Sequence, residues 1–167
     1  ELDDMNPALL VQYAASLRIQ RDAGETSSVE DITMIYQKAI ACANHLIQIR
    51  RDRSPQAATK SRRDQLVATF DAASVFNEIG CYYHYVLKDF TSAEQHYQTA
   101  LHEAQQKRKN SSTNAQFEPG TPEAILNSAN PGTMSEAEIV AYTNYAVLRQ
   151  HMGDRVGAEV MFQKALE

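Results

Sequence analysis

Five histidines, His45, His84, His96, His102 and His151, and two cysteines, Cys42 and Cys81, are the residues of this 167-residue chain best suited to ligating a metal or carrying acid–base and thiol chemistry. Their spacing supports none of these roles. Cys81 and His84 stand three residues apart, on one face of a helix, but no second pair at zinc-like spacing completes a ligand set. A nucleophile-elbow glycine pattern, His-Glu-x-x-His, a P-loop and GxGxxG are all absent, so no local motif carries nucleophilic, metal-assisted or phosphate chemistry. The chain is therefore expected not to be an enzyme, with no metal and no cofactor. The sequon Asn110-Ser111-Ser112 is short enough to arise by chance.

Surface recognition remains, and charge is its first indicator. Sixteen Lys and Arg against twenty-one Asp and Glu leave a net charge of −5, which argues against a general nucleic-acid binder. The cations are unevenly placed. Arg50, Arg51, Arg53, Lys60, Arg62 and Arg63 form one group, and Lys107, Arg108 and Lys109 a second. One reading is that they complement the negative C-terminal ends of helices, each contributing about 0.3–1 kcal/mol. The other is a basic rim suited to an acidic partner, such as a tubulin tail, an acidic peptide, or a phosphorylated or nucleic-acid surface.

The elements that must position these residues are constrained by length and composition. Apolar residues make up 43% of the chain and charged residues 22%, which suits a folded chain with one core. No apolar run approaches the roughly 20 residues needed to cross a bilayer. The acidic start Glu1-Leu2-Asp3-Asp4 is unlike a signal peptide, so no membrane span is expected. Two cysteines cannot form a disulfide framework, so a cytoplasmic or nuclear setting is expected.

The chain repeats itself. Tyr36-Gln37-Lys38-Ala39-Ile40, Tyr97-Gln98-Thr99-Ala100-Leu101 and Phe162-Gln163-Lys164-Ala165-Leu166 share the pattern aromatic, Gln, any residue, Ala, aliphatic. In a helix this sets a large-small-large stripe on one face, and the small Ala lets a neighbouring helix approach closely. A partner pattern precedes each copy: Leu10, Tyr13-Ala14 and Leu17; Phe76, Ile79-Gly80 and Tyr83; Tyr142, Tyr145-Ala146 and Leu148-Arg149. Turn residues follow, at Gly24, Lys88-Asp89 and Gly153-Asp154, with Ser27 or Ser28 a further N-cap candidate. The spacing predicts first helices over 7–23, 57–87 and 135–152 and second helices over 28–53, 90–109 and 154–167. The middle copy carries one inserted residue near Lys88. Residues 110–133, rich in Pro, Gly, Asn and Ser, are predicted to be a loop whose Phe117, Ile125 and Leu126 could fold back as an internal ligand.

These residues resemble the tetratricopeptide repeat, a helix-turn-helix unit that stacks into a right-handed superhelix. The resemblance is carried by the small residues Gly80, Ala146, Ala93, Ala158, Ala39, Ala100 and Ala165 and the large residues at Phe76, Ile79, Tyr83, Tyr142, Tyr145, Tyr97 and Phe162. The overlong helices resemble those of kinesin light chains. It implies an all-α right-handed α-solenoid of three hairpins and about six helices in a single domain, with repeats over 7–53, 57–109 and 135–167. A chain beginning without Met and stopping inside a helix is expected to be a fragment of a longer protein, and its solenoid ends could self-associate.

By the same resemblance, the first helices line a concave groove that takes a peptide or partner helix. The residues placed there are Gln12, Arg18, Asn77, His84, Tyr85, Asn144, Gln150 and His151. The implied function is a non-catalytic protein-binding scaffold, in the manner of a motor, ciliary or assembly adaptor. Two alternatives stay open. One is a chaperone cofactor gripping peptide C-termini, for which Asn77 and Asn144 could serve but the flanking cations are missing. The other is a nucleic-acid-associated repeat protein using the basic rim.

Overall fold

A computed structural model describes residues 5–24, 27–52, 62–113 and 134–167, and every element among them is helical. The order is α1 (Pro7–Asp22), α2 (Val29–Asp52), α3 (Arg62–Thr69), α4 (Ala72–Tyr82) continued by a π-helical turn (Tyr83–Leu87), α5 (Phe90–Thr113), α6 (Glu136–His151) and α7 (Arg155–Ala165). Length suggested one compact unit, whereas contacts within the chain divide it into two, Glu1–Ile79 and Gly80–Glu167. Helical hairpins touch chiefly their sequence neighbours, which permits such a division.

In the first unit, α1 packs on α2 and α2 on α3. Asn6 starts α1 by accepting the Ala8 N–H at 2.9 Å, with Pro7 in the first turn. Gly24, at φ 94°, follows its end. Ser28 starts α2: its Oγ accepts the Asp31 N–H at 3.0 Å, deciding between the two candidate serines. The α2 stripe Ile32, Tyr36, Ala39, Ala43, Leu46 and Ile47 is buried at helical spacing, so the first aromatic-Gln-x-Ala copy does face the core.

The predicted unbroken helix over 57–87 is corrected. It stops at Thr69, whose Oγ1 donates to the Gln65 carbonyl at 2.9 Å, and restarts after Asp71. Asp71 Oδ2 accepts from Ser74 Oγ at 2.7 Å, an Asp-x-x-Ser start that halts the preceding helix although no Gly or Pro is present. The predicted loop at 110–133 begins later, because α5 runs to Thr113. Its remainder, with Phe117, Ile125 and Leu126, lies outside the described residues, as do 57–61 of the predicted helix.

In the second unit, α5 packs on the π-helical turn and on α6, and α6 on α7. Gly80 lets α4 and α5 meet: a Cβ there would lie 2.6 Å from Cε1 of fully buried Tyr97. Across the α5–α6 contact the fit is polar as well as apolar. Tyr145 donates its hydroxyl to Glu94 Oε1 at 2.6 Å, Gln98 Nε2 donates to the Tyr145 hydroxyl at 3.1 Å, and Arg149 reaches Glu94 at 2.7 Å and Asp154 at 2.9 Å. Further along, Gln105 Nε2 donates to the Tyr142 hydroxyl at 3.0 Å and Arg108 approaches buried Glu138 at 3.5 Å. Glu94, Gln98, Gln105 and Arg108 form one stripe of α5, which gives the Gln of the recurring pattern a role.

The turns α4–α5 and α6–α7 match residue for residue at 65 apart. Lys88 at φ 56° stands where Gly153 stands at φ 83°. Asp89 and Asp154 then start the following helices, accepting the N–H groups of Ser92 at 3.1 Å and Gly157 at 2.9 Å. Upstream the offset is 66, because Asp89 follows Gly80 by nine residues and Asp154 follows Ala146 by eight. The π-helical turn absorbs the extra residue. Asp89 donates its N–H to the Tyr83 carbonyl at 3.0 Å, where Asp154 reaches Arg149 at 2.9 Å across a ring one residue smaller. Two outcomes are expected. Gly80→Ala lowers stability by about 1–3 kcal/mol despite its better helix propensity, because the ring of fully buried Tyr97 must shift to admit the new Cβ. Lys88→Gly raises stability by about 0.5–1 kcal/mol by removing a left-handed residue with a Cβ. Thermal melts followed by circular dichroism check both.

Candidate functional site

The π-helical turn places two consecutive aromatic rings oppositely. His84 points inward and is fully buried, whereas Tyr85 remains 43% exposed and stacks on it, ring centroids 4.1 Å apart. A strictly α-helical continuation turns successive residues by about 100° each, and the wider turn re-aims them. From the end of α6, His151 closes the group. Its Nδ1 lies 2.7 Å from His84 Nε2, and its ring meets Tyr85 edge-on at 6.3 Å. On the inner side His84 Nδ1 is 3.4 Å from the Tyr97 hydroxyl, which donates to Cys81 Sγ at 3.5 Å. Asn144 Nδ2 donates to the same sulfur at 3.5 Å. A fully buried His, Tyr97 and half-buried Cys81 thus support an aromatic surface of Tyr85 and His151, with Met152 also 45% exposed.

Electrostatics keep His84 neutral. Burial first, then His151 and Lys88, lower the His84 pKa to about 4. The contact adds to burial because a charged His84 ring would point a second N–H at its 2.7 Å neighbour, where an acceptor is wanted. Burial also lowers the His96 pKa, opposed by Asp89, and raises that of Tyr85, to which Cys81 adds. Asp89 is held below the usual carboxylate range chiefly by its bonds with Ser92. Among the described residues no group of three or more His, Cys, Asp and Glu side chains is arranged to hold a metal ion.

Of the eight groove residues expected from sequence, the structure brings His84, Tyr85 and His151 into contact, with Asn144 joined through Cys81. Gln150 is exposed one residue before His151. His84 is corrected from ligand contact to support, since it is fully buried. In the first unit Gln12 is exposed and Arg18 half-buried, while Asn77 is buried at 9% exposure. Of the two asparagines considered for a carboxylate clamp, Asn77 is buried and Asn144 donates to Cys81.

The basic residues divide similarly. Arg50 and Arg51 occupy the last turn of α2 and are exposed, as expected for cations at a helix C-terminus. Lys107, Arg108 and Lys109 were expected at a helix end. They lie within α5, which continues to Thr113, and Arg108 faces buried Glu138. Arg62 and Arg63 are in the first turn of α3, and Arg53 and Lys60 lie outside the described residues. No helix among the described residues is long and apolar enough to cross a membrane.

Sequence reasoning missed Tyr97 and Cys81 as supports of the site and Glu94 with Arg149 as the polar tie between α5 and α6. The inserted residue near Lys88 was the one available signal for the π-helical turn. In comparisons with known proteins, no family model, no curated protein and no solved structure matches this chain.

The buried histidine makes stability depend on pH. Its folded pKa of about 4 is below the unfolded value of about 6.5, so the unfolded chain binds more protons between them. Stability is therefore full above about pH 6.5 and lost as pH falls toward 4, with His96 acting in the same direction. Urea unfolding at pH 7 and pH 5 should show a loss of about 1–2 kcal/mol, and His84→Phe should remove most of it.

Proposed function

We propose that the chain is a non-catalytic scaffold of tetratricopeptide-like hairpins stacked as a right-handed α-solenoid, and that it holds a peptide or partner helix against Tyr85 and His151. One observation carries this reading: an exposed tyrosine stacked on a fully buried histidine, presented by a π-helical turn and braced by Tyr97 and Cys81. A rigid aromatic with a polar tip gives contact area at low entropic cost. Bracing from below means little further ordering on binding. The exposed amide of Gln150 can pair with a peptide backbone as donor or acceptor. Cys42, buried, and Cys81, half-buried, are thiols rather than disulfide partners, which suits a reducing compartment, so a cytoplasmic adaptor is the setting proposed.

The test is selection from a displayed random-peptide library on the whole chain, followed by affinity measurement of the selected peptides. Tyr85→Ala should weaken binding about tenfold, equivalent to about 1.4 kcal/mol, and Met34→Ala, exposed in the other unit, should leave it unchanged. Failure to enrich any peptide, or binding by Tyr85→Ala and His151→Ala as tight as wild type, would overturn the site.

A further inference from the structure

The α5 face that receives α6 is copied on α7. At the same offset of 65 that aligns the two turns, Glu94 corresponds to Glu159, Tyr97 to Phe162, Gln98 to Gln163 and Leu101 to Leu166. On α5 these residues are engaged: Glu94 and Gln98 hold the Tyr145 hydroxyl, and Leu101 is 8% exposed. On and just after α7 the same types lie open, with Glu159 and Gln163 exposed and Leu166 88% exposed. Val156 and Val160 add exposed apolar surface one helical turn apart.

The complementary face exists too, on α1. Tyr13-Ala14 occupies the pattern position of Tyr145-Ala146, and Ala14 and Ala146 are both fully buried. Tyr145 is 3% exposed because α5 covers it, whereas Tyr13 is 56% exposed, beside Leu9 at 61%. Among the described residues the chain thus carries the tyrosine half and the Glu-Gln-Leu half of the α5–α6 contact a second time, with Tyr13, Leu9, Glu159, Gln163 and Leu166 exposed.

We propose that copies of this chain associate head to tail, α1 of one copy docking on α7 of the next. The Tyr13 hydroxyl then lies between Glu159 and Gln163 of the second copy, as the Tyr145 hydroxyl lies between Glu94 and Gln98 within one copy. Leu9 covers Phe162 and Leu166. Because the two faces differ, the contact is heterologous and can be extended from copy to copy. Leu17 stands where Arg149 completes the internal contact, so the charge-assisted bond to the glutamate is missing and association is weaker than the internal docking. The inference is independent of the peptide site at Tyr85.

Sedimentation velocity over concentrations up to about 1 mM tests it with Tyr13→Glu and Leu166→Asp, both at exposed positions where helicity should be unchanged by circular dichroism. The wild-type chain should show average mass rising past the dimer with concentration. Each variant alone should stay monomeric, since every copy then lacks one half of the contact. An equimolar mixture should recover a dimer and stop there, because one variant supplies an intact α7 and the other an intact α1. A wild-type chain monomeric throughout, variants that assemble like wild type, or a mixture that stays monomeric while wild type assembles would each overturn the proposal.

Discussion

The aromatic site of the second unit depends on the approach of Gly80 to the ring of Tyr97. With no Cβ at Gly80, the ring of Tyr97 fits against that residue and its hydroxyl reaches Cys81 and the ring of His84. Space for the ring is a geometric condition before it is an energetic one. Only with the ring seated against Gly80 can one buried phenol address two side chains on the adjoining turns. His84 is then held by Tyr97 on one nitrogen and His151 on the other, and Tyr85 is held by His84. The exposed ring is ordered by a chain of contacts that begins at a glycine.

The extra residue between Gly80 and Asp89 fits this picture. An insertion inside a helix must either push the next element out of register or be absorbed locally, and a single wide turn is the local solution. The α6–α7 connection shows the same turn and the same aspartate start without it. What differs is which side chains are presented. The wide turn buries one ring and exposes the next, directly opposite the last residue of α6.

Much of the fold was legible because periodicity and capping are local. The recurring aromatic-Gln-x-Ala-aliphatic stripe marked the second helices, and their buried faces follow it at Tyr36, Ala39, Tyr97 and Ala100. Ser28, Asp89 and Asp154 start helices as their types and neighbours indicate. The break at Asp71 escaped notice because aspartate inside an apolar period reads as an exposed helical residue until its bond with Ser74 is seen. At the site, Tyr85 and His151 could be placed from the pattern, but the burial of His84 could not. One residue of insertion rotates the following side chains by about 100°, and sequence spacing alone does not say where that rotation is taken up. Glu94 and Arg149 are distant in sequence and meet only through packing of α5 on α6.

Deleting Val86 tests most directly whether the inserted residue builds the site. The shortened chain has the eight-residue spacing of the α6–α7 turn, so its helicity should be retained. The π-helical turn should be lost, and with it the contact between His84 and His151. Histidine titration by NMR is the readout. Wild type should show a His84 pKa of about 4 and through-space contacts between the rings of His84, His151 and Tyr97, and the deletion should show neither. A deleted chain that keeps the low pKa and those contacts, or one that loses its helices, would contradict the link between insertion, wide turn and aromatic site.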